Sequence, residues 1–558
     1  MNPNIREKER RAVNIVFHLK RVTQISPYKR AVVCPAGRDN TGRVKYSHLT
    51  FLQLDRESDC LAHGMEEAGI TRGTRTILMA KPGLEFFMII FALFKIGAVP
   101  VVVDPGMGIR RMVGCFKEGR PEAFIGIPQA HLIRTFHPSF FKTVRVWITV
   151  GRRWFRRGFS LNQVRQVPWK PYTPAKTLED DPAAILFTTG STGPAKGALY
   201  THGNFDAQLR HIKTHLGLSL EEIDLSTFPL FALFWPPLGI TAVIPDMDPT
   251  KPARANPKKI IEAIQNQGVT SMFASPALLN RVGKYGKKRN IILPPLKRVI
   301  SAGAPVSPSI IETFASMLIE GARIHTPYGA TEAVPVLSIT SDEILSETRG
   351  FSEKGYGMCI GRPINDLDIR LIKISDDPIL KWSDDLLAQD GEMGEITVKG
   401  DLVTRHYFER PEADALAKIK DKDSFWHRMG DVGWKDSKGR IWFCGRKSHR
   451  VVTEKRTLFT IPCEAVFNNH PLVFRSALVG TGPPGRQQPV ICIELKKRRH
   501  KINKKSLRNE LLGLARENEL TKDISIVLFH KSFPVDIRHN SKIFREKLAL
   551  WAEKKINK

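Results

Sequence analysis

Several features that would place this chain in a familiar class are missing from its sequence. Seven cysteines are spread over 558 residues with no Cys-x-x-Cys pair, at positions 34, 60, 115, 359, 444, 463 and 492. This spacing predicts reduced thiols in a cytosolic protein and excludes a disulfide framework or a cysteine zinc site. The segment 1–13 is charged and lacks the apolar run of a signal peptide, so we expect no signal peptide.

No apolar run in the sequence is long enough to cross a membrane. The most apolar stretch, 86–103, is interrupted by Lys95 and Pro100, whereas a spanning helix needs about 20 predominantly apolar residues. The pattern instead predicts a buried helix over 85–96 and a buried strand over 99–103. Hydrophobic residues make up 42% of the chain, which is enough for a large core and two or more domains.

Acidic residues are scarce relative to basic ones. Lys and Arg number 86 against 56 Asp and Glu, a net charge of +30, which attracts acidic lipid, nucleic acid or an acidic protein. The segment 496–508 is the densest basic run and contains no acid, and 152–157 mixes Arg with Trp and Phe. Three readings stay open: a solvated basic face, docking to an anionic membrane or acidic protein, and, least favoured because no known module accompanies the charge, nucleic-acid binding. We expect a cytoplasmic protein, with peripheral attachment to a membrane as the alternative.

Apolar runs of strand length alternate with amphipathic segments of helix length from about residue 30 to 345. Strands are predicted over 75–79, 99–103, 270–274 and 298–302, and helices near 50–68 and 307–320. This alternation predicts an α/β fold with mainly parallel sheets.

The pattern changes to short strands separated by turns between 357 and 443. Strands are predicted there over 367–374, 395–399, 432–434 and 441–443. The basic segment that follows is long enough for a small domain. We therefore expect a large N-terminal domain over 1–445 with a β-rich subdomain at about 357–443, and a small, mobile α+β domain over 446–558.

The segment 186–199, Leu-Phe-Thr-Thr-Gly-Ser-Thr-Gly-Pro-Ala-Lys-Gly-Ala-Leu, concentrates glycines, hydroxyls and one lysine after an apolar run. Glycine lets backbone N–H groups approach an anion closely, and hydroxyls and lysine add donors and positive charge. No Gly-Lys-Ser/Thr opens a helix here, which excludes a Walker A loop. An ordinary surface loop is the alternative to a polyphosphate site. The predicted phosphate-binding residues are Thr188, Thr189, Gly190, Ser191, Thr192, Gly193 and Lys196.

This segment resembles the phosphate-binding signature of the adenylate-forming superfamily, which contains acyl-CoA synthetases, luciferases and the adenylation domains of peptide synthetases. The match departs from the signature at Ala195. The resemblance covers about residues 30–550. It implies a large N-terminal domain, a small C-terminal domain that rotates about a hinge, and the cofactors ATP and Mg²⁺.

Five further segments resemble motifs of the same superfamily in the same order. They are 301–305, 328–332, 430–431, 445–446 and 540–545, with departures at Met429 and Ser541. A carboxylate suits a hard cation such as Mg²⁺, and two vicinal ribose hydroxyls suit one carboxylate that accepts from both. The resemblance places Gly303, Ala304, Pro305, Tyr328 and Gly329 near adenine, Thr331 at the α-phosphate, Glu332 and Thr188 on Mg²⁺, Asp431 and Arg446 at the ribose, and Lys542 between the carboxylate and the α-phosphate.

The acyl end of the reaction is where the sequence departs from acyl-CoA synthetases. Ala232 occupies the position at which most acyl-CoA synthetases have a histidine, and Ser448 replaces the aspartate of their hinge. The Lys-x-x-Gly segment, which in those enzymes lines the pantetheine channel, is missing. The apolar run 228–240 predicts either an acyl pocket or ordinary core. The predicted pocket residues are Phe231, Ala232, Phe234 and Trp235, with Ala232 expected to widen the pocket.

The segments 228–234 and 330–336 most resemble those of the olefin β-lactone synthetases of bacterial long-chain hydrocarbon biosynthesis. That resemblance implies ATP-dependent activation of a long-chain 2-alkyl-3-hydroxy acid, whose own hydroxyl then displaces AMP, and a β-lactone decarboxylase as a partner. An intramolecular nucleophile gains a large effective concentration. Two alternatives stay open: a long-chain fatty acyl-CoA or acyl-carrier ligase, and a degenerate non-catalytic member. Intact Lys196, Glu332, Asp431 and Lys542 argue against the second.

Overall fold

The computed structural model describes residues 12–154, 157–188, 195–496, 502–535 and 542–557. The α-helices of these segments span Ile15–Ile25, Phe51–Glu67, Leu84–Ile96, Ile109–Gly119, Pro128–Phe136, Leu161–Arg165, His202–Leu216, Pro229–Ala232, Pro257–Gln267, Pro276–Lys287, Pro308–Ala315, Ser341–Glu343, Arg349–Glu353, Pro411–Ala417, Thr460–Asn468, Lys504–Arg516 and Arg545–Ile556.

Two sheets with mainly parallel strands form the N-terminal part of the fold. In spatial order, the first sheet contains Arg323–His325, Arg298–Ile300, Ser271–Phe273, Ile223–Ser226, Thr241–Val243, Arg30–Arg38 and Val44–Thr50. The second contains His406–Tyr407, Lys196–Thr201, Pro182–Thr188, Val99–Val103, Arg75–Met79, Ala123–Gly126, Val146–Thr149 and Phe159–Ser160. Antiparallel pairs occur only toward one end of each sheet, as in the pair Arg30–Arg38 with Val44–Thr50.

The helix Leu84–Ile96 shows why the apolar run of the sequence is interior. Eleven of its residues are buried, and it ends at Gly97, which adopts the left-handed conformation at φ 76°. Lys95 is fully buried, and its Nζ lies 2.6 Å from carboxylate oxygens of both Asp55 and Asp59 on the helix Phe51–Glu67. A buried ammonium needs such partners. The lysine that interrupts the run therefore pairs two core helices.

A third, antiparallel sheet follows. Its strands, in spatial order, are Tyr328–Ala330, Ala333–Ser338, Met358–Pro363, Ile441–Arg446, Ser424–Lys435, Gly394–Lys399 and Asp368–Ile372, with Lys418–Asp421 paired to Ser424–Lys435. The hairpin Tyr328–Ser338 joins this sheet although it precedes the predicted β-rich segment, because Ala333–Ser338 pairs with Met358–Pro363.

The C-terminal part has a core of its own around a three-stranded sheet. The strands are Val473–Thr481, Gln488–Leu495 and Ile526–Phe529, preceded by the short pair Val451–Val452 and Thr457–Leu458. Two clusters of buried apolar side chains join this sheet to the last three helices. This arrangement agrees with the predicted small α+β domain after residue 445, although the boundary itself stays a prediction.

Most predicted elements are confirmed. The strands over 75–79 and 99–103 have the predicted bounds, and the helix predicted over 85–96 begins one residue earlier. Two predictions were wrong in length by more than three residues. The helix predicted over 307–320 ends at Ala315, because the chain turns through Ser316–Leu318 before the next strand. The strand predicted over 432–434 begins at Ser424, because Lys418–Asp421 pairs with residues 424–427.

All seven cysteines are free thiols, and six of them are buried. Within the described segments, no helix combines the length and the apolar character that a membrane span requires.

Candidate functional site

The predicted phosphate loop connects two strands of the second sheet. Pro182–Thr188 pairs with Lys196–Thr201 so that the backbones of Thr188 and Lys196 face each other. Thr189, Gly190, Ser191, Thr192 and Gly193 lie outside the described residues, and the same holds for the side chain of Thr188. Lys196 Nζ lies 5.0 Å from the centre of the Tyr407 ring on the neighbouring strand.

Glu332 and Thr331 lie at the turn of the hairpin Tyr328–Ser338, beside the second sheet. The Tyr407 hydroxyl donates to Glu332 Oε1 over 2.7 Å, and the Thr404 N–H donates to the Glu332 carbonyl over 2.8 Å. The Tyr200 hydroxyl donates to the Thr331 carbonyl. Both residues are half-buried. The hairpin is thereby fixed to the strand that carries Lys196.

Asp431 and Arg446 lie opposite each other on adjacent strands of the third sheet. Arg446 Nε is 3.2 Å from Asp431 Oδ1, and the Tyr328 hydroxyl donates to Oδ2 over 2.5 Å. Burial raises the pKa of Asp431, and Arg446, Tyr328 and Lys542 act against that shift. Burial and the neighbouring Asp431 raise the pKa of Tyr328, so its hydroxyl remains a donor.

One oxygen of Asp431 has unused acceptor capacity. Asp431 is 5% exposed, and its Oδ1 accepts no hydrogen bond from the described residues although the Arg446 guanidinium lies beside it. A buried carboxylate oxygen of this kind is costly unless a donor reaches it. Two ribose hydroxyls would satisfy it. This acceptor oxygen therefore fits the ribose of a nucleotide.

The segment 301–305 extends from a strand of the first sheet. The Ser301 N–H donates to the His325 carbonyl over 2.9 Å, and Ala302 is buried. Gly303 has φ 90°, which favours glycine, and it is exposed together with Pro305, while Ala304 is half-buried. The segment predicted to lie along adenine is therefore partly exposed to solvent at Gly303 and Pro305.

Glu332 is the carboxylate of this site that suits a cation. The described segments contain no group of three or more His, Cys, Asp or Glu side chains that could hold a metal. Mg²⁺ in nucleotide sites keeps several waters and binds through one or two carboxylates plus phosphates. A single positioned carboxylate therefore fits Mg²⁺ carried by ATP, and Glu332 would hold it.

Lys542 belongs to the C-terminal part and contributes to the electrostatics of Asp431. Arg545, three residues later, forms a two-pronged ion pair with Glu464 of the helix Thr460–Asn468, with Arg545 Nη2 3.0 Å from Oε2. Glu464 also accepts from the Leu478 N–H over 2.8 Å. This ion pair anchors the segment that carries Lys542.

The hinge region after the third sheet is held by several ion pairs. Lys447 Nζ lies 3.1 Å from Glu395 Oε2, and His449 Nε2 lies 3.1 Å from Glu546 Oε1. Gly445 has φ 126°, and a Cβ there would come within 2.2 Å of Thr460 Oγ1. The glycine is therefore required for the close packing of the helix Thr460–Asn468 against the hinge.

Two of the four predicted pocket residues line a small cavity, and the pocket itself stays a prediction. A cavity of about 30 Å³ is lined by Phe231 and Trp235, and the Phe231 ring stacks on Phe273 with centres 4.5 Å apart. Ala232 and Phe234 do not line it; both are buried in the core behind it. Ala232 is fully buried, and its expected effect on the width of an acyl pocket stays a prediction.

Sequence reasoning missed three side chains near the site. Tyr407 binds Glu332, and Lys418 donates to the Thr404 carbonyl. Burial lowers the pKa of Lys418 to about 7, against the opposing effect of Glu332 and Asp414. Asp224, on a strand of the first sheet, lies beside Trp235, which lines the cavity, and burial raises the pKa of Asp224 to about 7. No local motif marks them, because each acts through contacts between distant segments.

Comparison with known proteins gives consistent matches. The family model described as AMP-binding enzyme matches residues 19–408. The olefin beta-lactone synthetase of Stenotrophomonas maltophilia (strain K279a) is 44% identical over 560 residues, 98% of this chain and 99% of that protein. The olefin beta-lactone synthetase of Xanthomonas campestris pv. campestris is 44% identical over 549 residues, 97% of each chain. The crystal structure of an anthranilate CoA ligase in complex with anthranoyl-AMP matches with a TM-score of 0.79 and 17% sequence identity, and the match covers 98% of each chain. At this identity the match shows a shared fold and nothing about function.

Proposed function

The chain belongs to the AMP-binding enzyme family, and we propose that it activates a long-chain 2-alkyl-3-hydroxy acid with ATP and then closes it to a β-lactone. The observation that carries the activation step is the open Oδ1 of buried Asp431, next to the hairpin that holds Glu332. The closure step is supported by the 44% identity to two proteins named olefin beta-lactone synthetase along nearly the whole chain.

In the proposed activation, a carboxylate oxygen of the acid attacks the α-phosphorus of ATP. The new bond joins carboxylate to phosphorus, the bond to the β-phosphate oxygen breaks, and pyrophosphate leaves. Lys196 and Lys542 offset the repulsion between the two anions, and Asp431 accepts from the ribose hydroxyls. Bound Mg²⁺ would supply further positive charge to the phosphates. Catalysis is then mainly positioning and charge stabilisation.

In the proposed closure, the 3-hydroxyl oxygen attacks the activated acyl carbon. The ring bond forms, the bond between the acyl carbon and AMP breaks, and the hydroxyl proton is released. The product is lighter than the acid by one water. Because the nucleophile is part of the substrate, no thiol has to reach the site, which agrees with the altered sequence after Gly445.

The ion pairs of the hinge support this proposal. Lys447 shares Glu395 with Arg428, and both Glu395 and Arg428 are fully buried. Arg450 Nη2 lies 2.5 Å from Asp376 Oδ2 across the same predicted domain boundary. We infer that these contacts favour the domain arrangement in which Lys542 acts on the Asp431 region. An enzyme that closes its own substrate can complete both steps without leaving this arrangement.

Turnover without a thiol tests the proposal. We expect the protein, given ATP, Mg²⁺ and a 2-alkyl-3-hydroxy acid, to release many AMP molecules per enzyme in the absence of CoA. A ligase that needs CoA or a carrier thiol would retain the acyl adenylate and stop near one equivalent. A single burst followed by CoA-dependent turnover would therefore exclude the closure step.

For location, we propose a cytoplasmic enzyme whose second sheet docks on anionic lipid. The segment 123–178 contains ten Lys and Arg and no Asp or Glu. Phe136 is 75% exposed and Trp154 53% exposed on its surface. Aromatic side chains and basic charge together suit a lipid interface. A neighbouring β-lactone decarboxylase would take the reactive product. Vesicle binding that does not weaken with salt would contradict the lipid proposal.

A further inference from the structure

Lys418 is a half-buried lysine near Glu332 that has no carboxylate partner in the described segments. It begins the strand Lys418–Asp421, and its ammonium donates to the Thr404 carbonyl. Glu332 and Asp414 act on it only through their charge, without an ion pair or a hydrogen bond. Removing an ammonium from water without a counter-ion is costly to a fold. The position of Lys418 therefore calls for an explanation.

Two neighbouring polar atoms add to this cost. Thr404 is 1% exposed, and its Oγ1 is buried without a hydrogen-bond partner among the described residues. His427 stands opposite Lys418 on the paired strand, and its buried Nδ1 is unpaired in the same part of the structure. Burial lowers the pKa of His427, and Lys418 and Lys196 act in the same direction. Buried groups that cost stability are concentrated at functional sites.

Lys418 contacts both groups that hold Glu332. The Thr404 N–H donates to the Glu332 carbonyl over 2.8 Å, and the Thr404 carbonyl accepts from Lys418. The Tyr407 hydroxyl donates to Glu332 Oε1 over 2.7 Å, and Lys418 Nζ lies 5.9 Å from the centre of the Tyr407 ring. A cation at about this distance is attracted to the face of an aromatic ring. One ammonium therefore links the backbone support and the side-chain support of Glu332.

The surroundings of Lys418 fix it in turn. Its Nζ lies 5.1 Å from the centre of the Phe425 ring, on the strand that pairs with Lys418–Asp421. Asp414, in the helix Pro411–Ala417 just before Lys418, accepts from the Tyr407 N–H over 2.8 Å. A side chain whose own conformation is fixed by its neighbours can position the groups that it contacts.

We propose that Lys418 is a positioning residue that fixes Glu332 for the Mg²⁺ carried by ATP. It acts through the Thr404 backbone and the Tyr407 ring. The inference rests on the proposed function and adds a residue that no motif marks. The charge of Lys418 has the opposite effect, because an ammonium near Glu332 repels a divalent cation. Loss of a residue that supports a metal ligand weakens metal binding by about 10- to 100-fold. The sign of the effect therefore separates positioning from charge.

Calorimetric binding of an ATP analogue that cannot release pyrophosphate, with and without Mg²⁺, tests the proposal. We expect Mg²⁺ to tighten binding to wild type, and we expect Lys418→Met to reduce that gain by about 10-fold. Lys418→Arg, which keeps a charged donor, should lose less. The Mg²⁺ concentration for half-maximal pyrophosphate release should rise by a similar factor in Lys418→Met. Lys420→Met is the matched control, because Lys420 is exposed on the same strand, and it should leave both values unchanged.

A double-mutant cycle with Tyr407→Phe tests the route from Lys418 to Glu332. Because Lys418 is proposed to act partly through Tyr407, the double variant should lose less than the product of the two single losses. Single losses that multiply would contradict the proposal. A thermal melt accompanies each variant. If Lys418→Met fails to fold, Lys418→Gln takes its place, since the shorter amide cannot span the same distance to the Thr404 carbonyl.

The possible results distinguish this inference from the proposed function. An unchanged or larger gain from Mg²⁺ in folded Lys418→Met would overturn the positioning role alone, and so would an equal loss in Lys420→Met. Failure of wild type to release pyrophosphate from ATP with the 2-alkyl-3-hydroxy acid would overturn the proposed activation itself.

Discussion

The Tyr407 hydroxyl donates to Glu332 Oε1 over 2.7 Å and ties the predicted Mg²⁺ carboxylate to the edge strand of the second sheet. The same ring lies 5.0 Å from Lys196 Nζ. One tyrosine therefore contacts both the carboxylate predicted to bind Mg²⁺ and the lysine of the predicted phosphate loop. Its strand comes 75 positions after Glu332 in the chain, so no local pattern could reveal the contact.

We expect Tyr407→Phe to raise the Mg²⁺ concentration needed for half-maximal pyrophosphate release and to lower kcat/KM by about 10-fold, since a hydrogen bond to a charged group contributes about 1.5–3 kcal/mol. Tyr172→Phe is a matched control, because Tyr172 donates to Glu66 Oε1 over 2.8 Å in another part of the core. Equal effects of the two variants would show that Tyr407 has only a structural role.

Asp431→Asn tests the ribose assignment. If the carboxylate accepts from both ribose hydroxyls, wild type should prefer ATP to 2′-deoxy-ATP, and the amide, with one acceptor oxygen, should lose most of that preference. The measurement is kcat/KM for pyrophosphate release with each nucleotide. The same preference in wild type and variant would mean that Asp431 does not bind the ribose.

Lys542→Ala should reduce activation by about 100-fold or more without changing the melting temperature, because Lys542 is exposed and its proposed role is to stabilise charge in the transition state. Lys547→Ala is the control, since this exposed lysine of the same segment lies over the Phe544 ring. If both variants retain wild-type rates, the resemblance that assigns Lys542 does not extend to function.

Asp224 should make stability fall as pH rises. Burial raises its folded pKa to about 7, above the unfolded value of about 3.9, so the folded state binds the extra proton between these values. The protonated carboxyl therefore stabilises the folded state by on the order of 4 kcal/mol below about pH 4. This stabilisation is lost progressively as pH rises to about 7. The melting temperature of Asp224→Asn, measured relative to that of wild type, should therefore rise from pH 5 to pH 8.

Asp376 provides the opposite case as a control. A hydrogen bond from Arg450 lowers its pKa, against the effect of burial. Its contribution is present above the unfolded pKa and is lost only as pH falls through the lower folded value, and Arg450 does not titrate between pH 5 and pH 8. The difference in melting temperature between Asp376→Asn and wild type should therefore stay constant from pH 5 to pH 8. A parallel pH trend in both variants would contradict the assignment to Asp224.

The sequence was most informative where a segment acts by its own pattern. The apolar run predicted the buried helix Leu84–Ile96, and alternation predicted the strands over 75–79 and 99–103. It was least informative where function depends on contacts between distant segments. Tyr407 reaches Glu332 from a strand of another sheet, and no motif marks Tyr407.

Ala232 shows a second limit. The sequence identifies its unusual residue type, but the direction of a side chain depends on packing, and the structure places Ala232 in the core behind Phe231. The ion pair between Arg545 and Glu464 is the opposite case. Arg545 stands in the motif segment 540–545, yet only the fold shows that Glu464 is its partner.

Mass spectrometry of the product distinguishes lactone closure from thioester formation. The protein is incubated with ATP, Mg²⁺ and a long-chain 2-alkyl-3-hydroxy acid whose 3-hydroxyl carries ¹⁸O, with and without CoA. The account predicts a product lighter by one unlabelled water, with the ¹⁸O retained in the ring, formed together with AMP and independently of CoA. A thioester that requires CoA, with only the acyl adenylate in its absence, would contradict it.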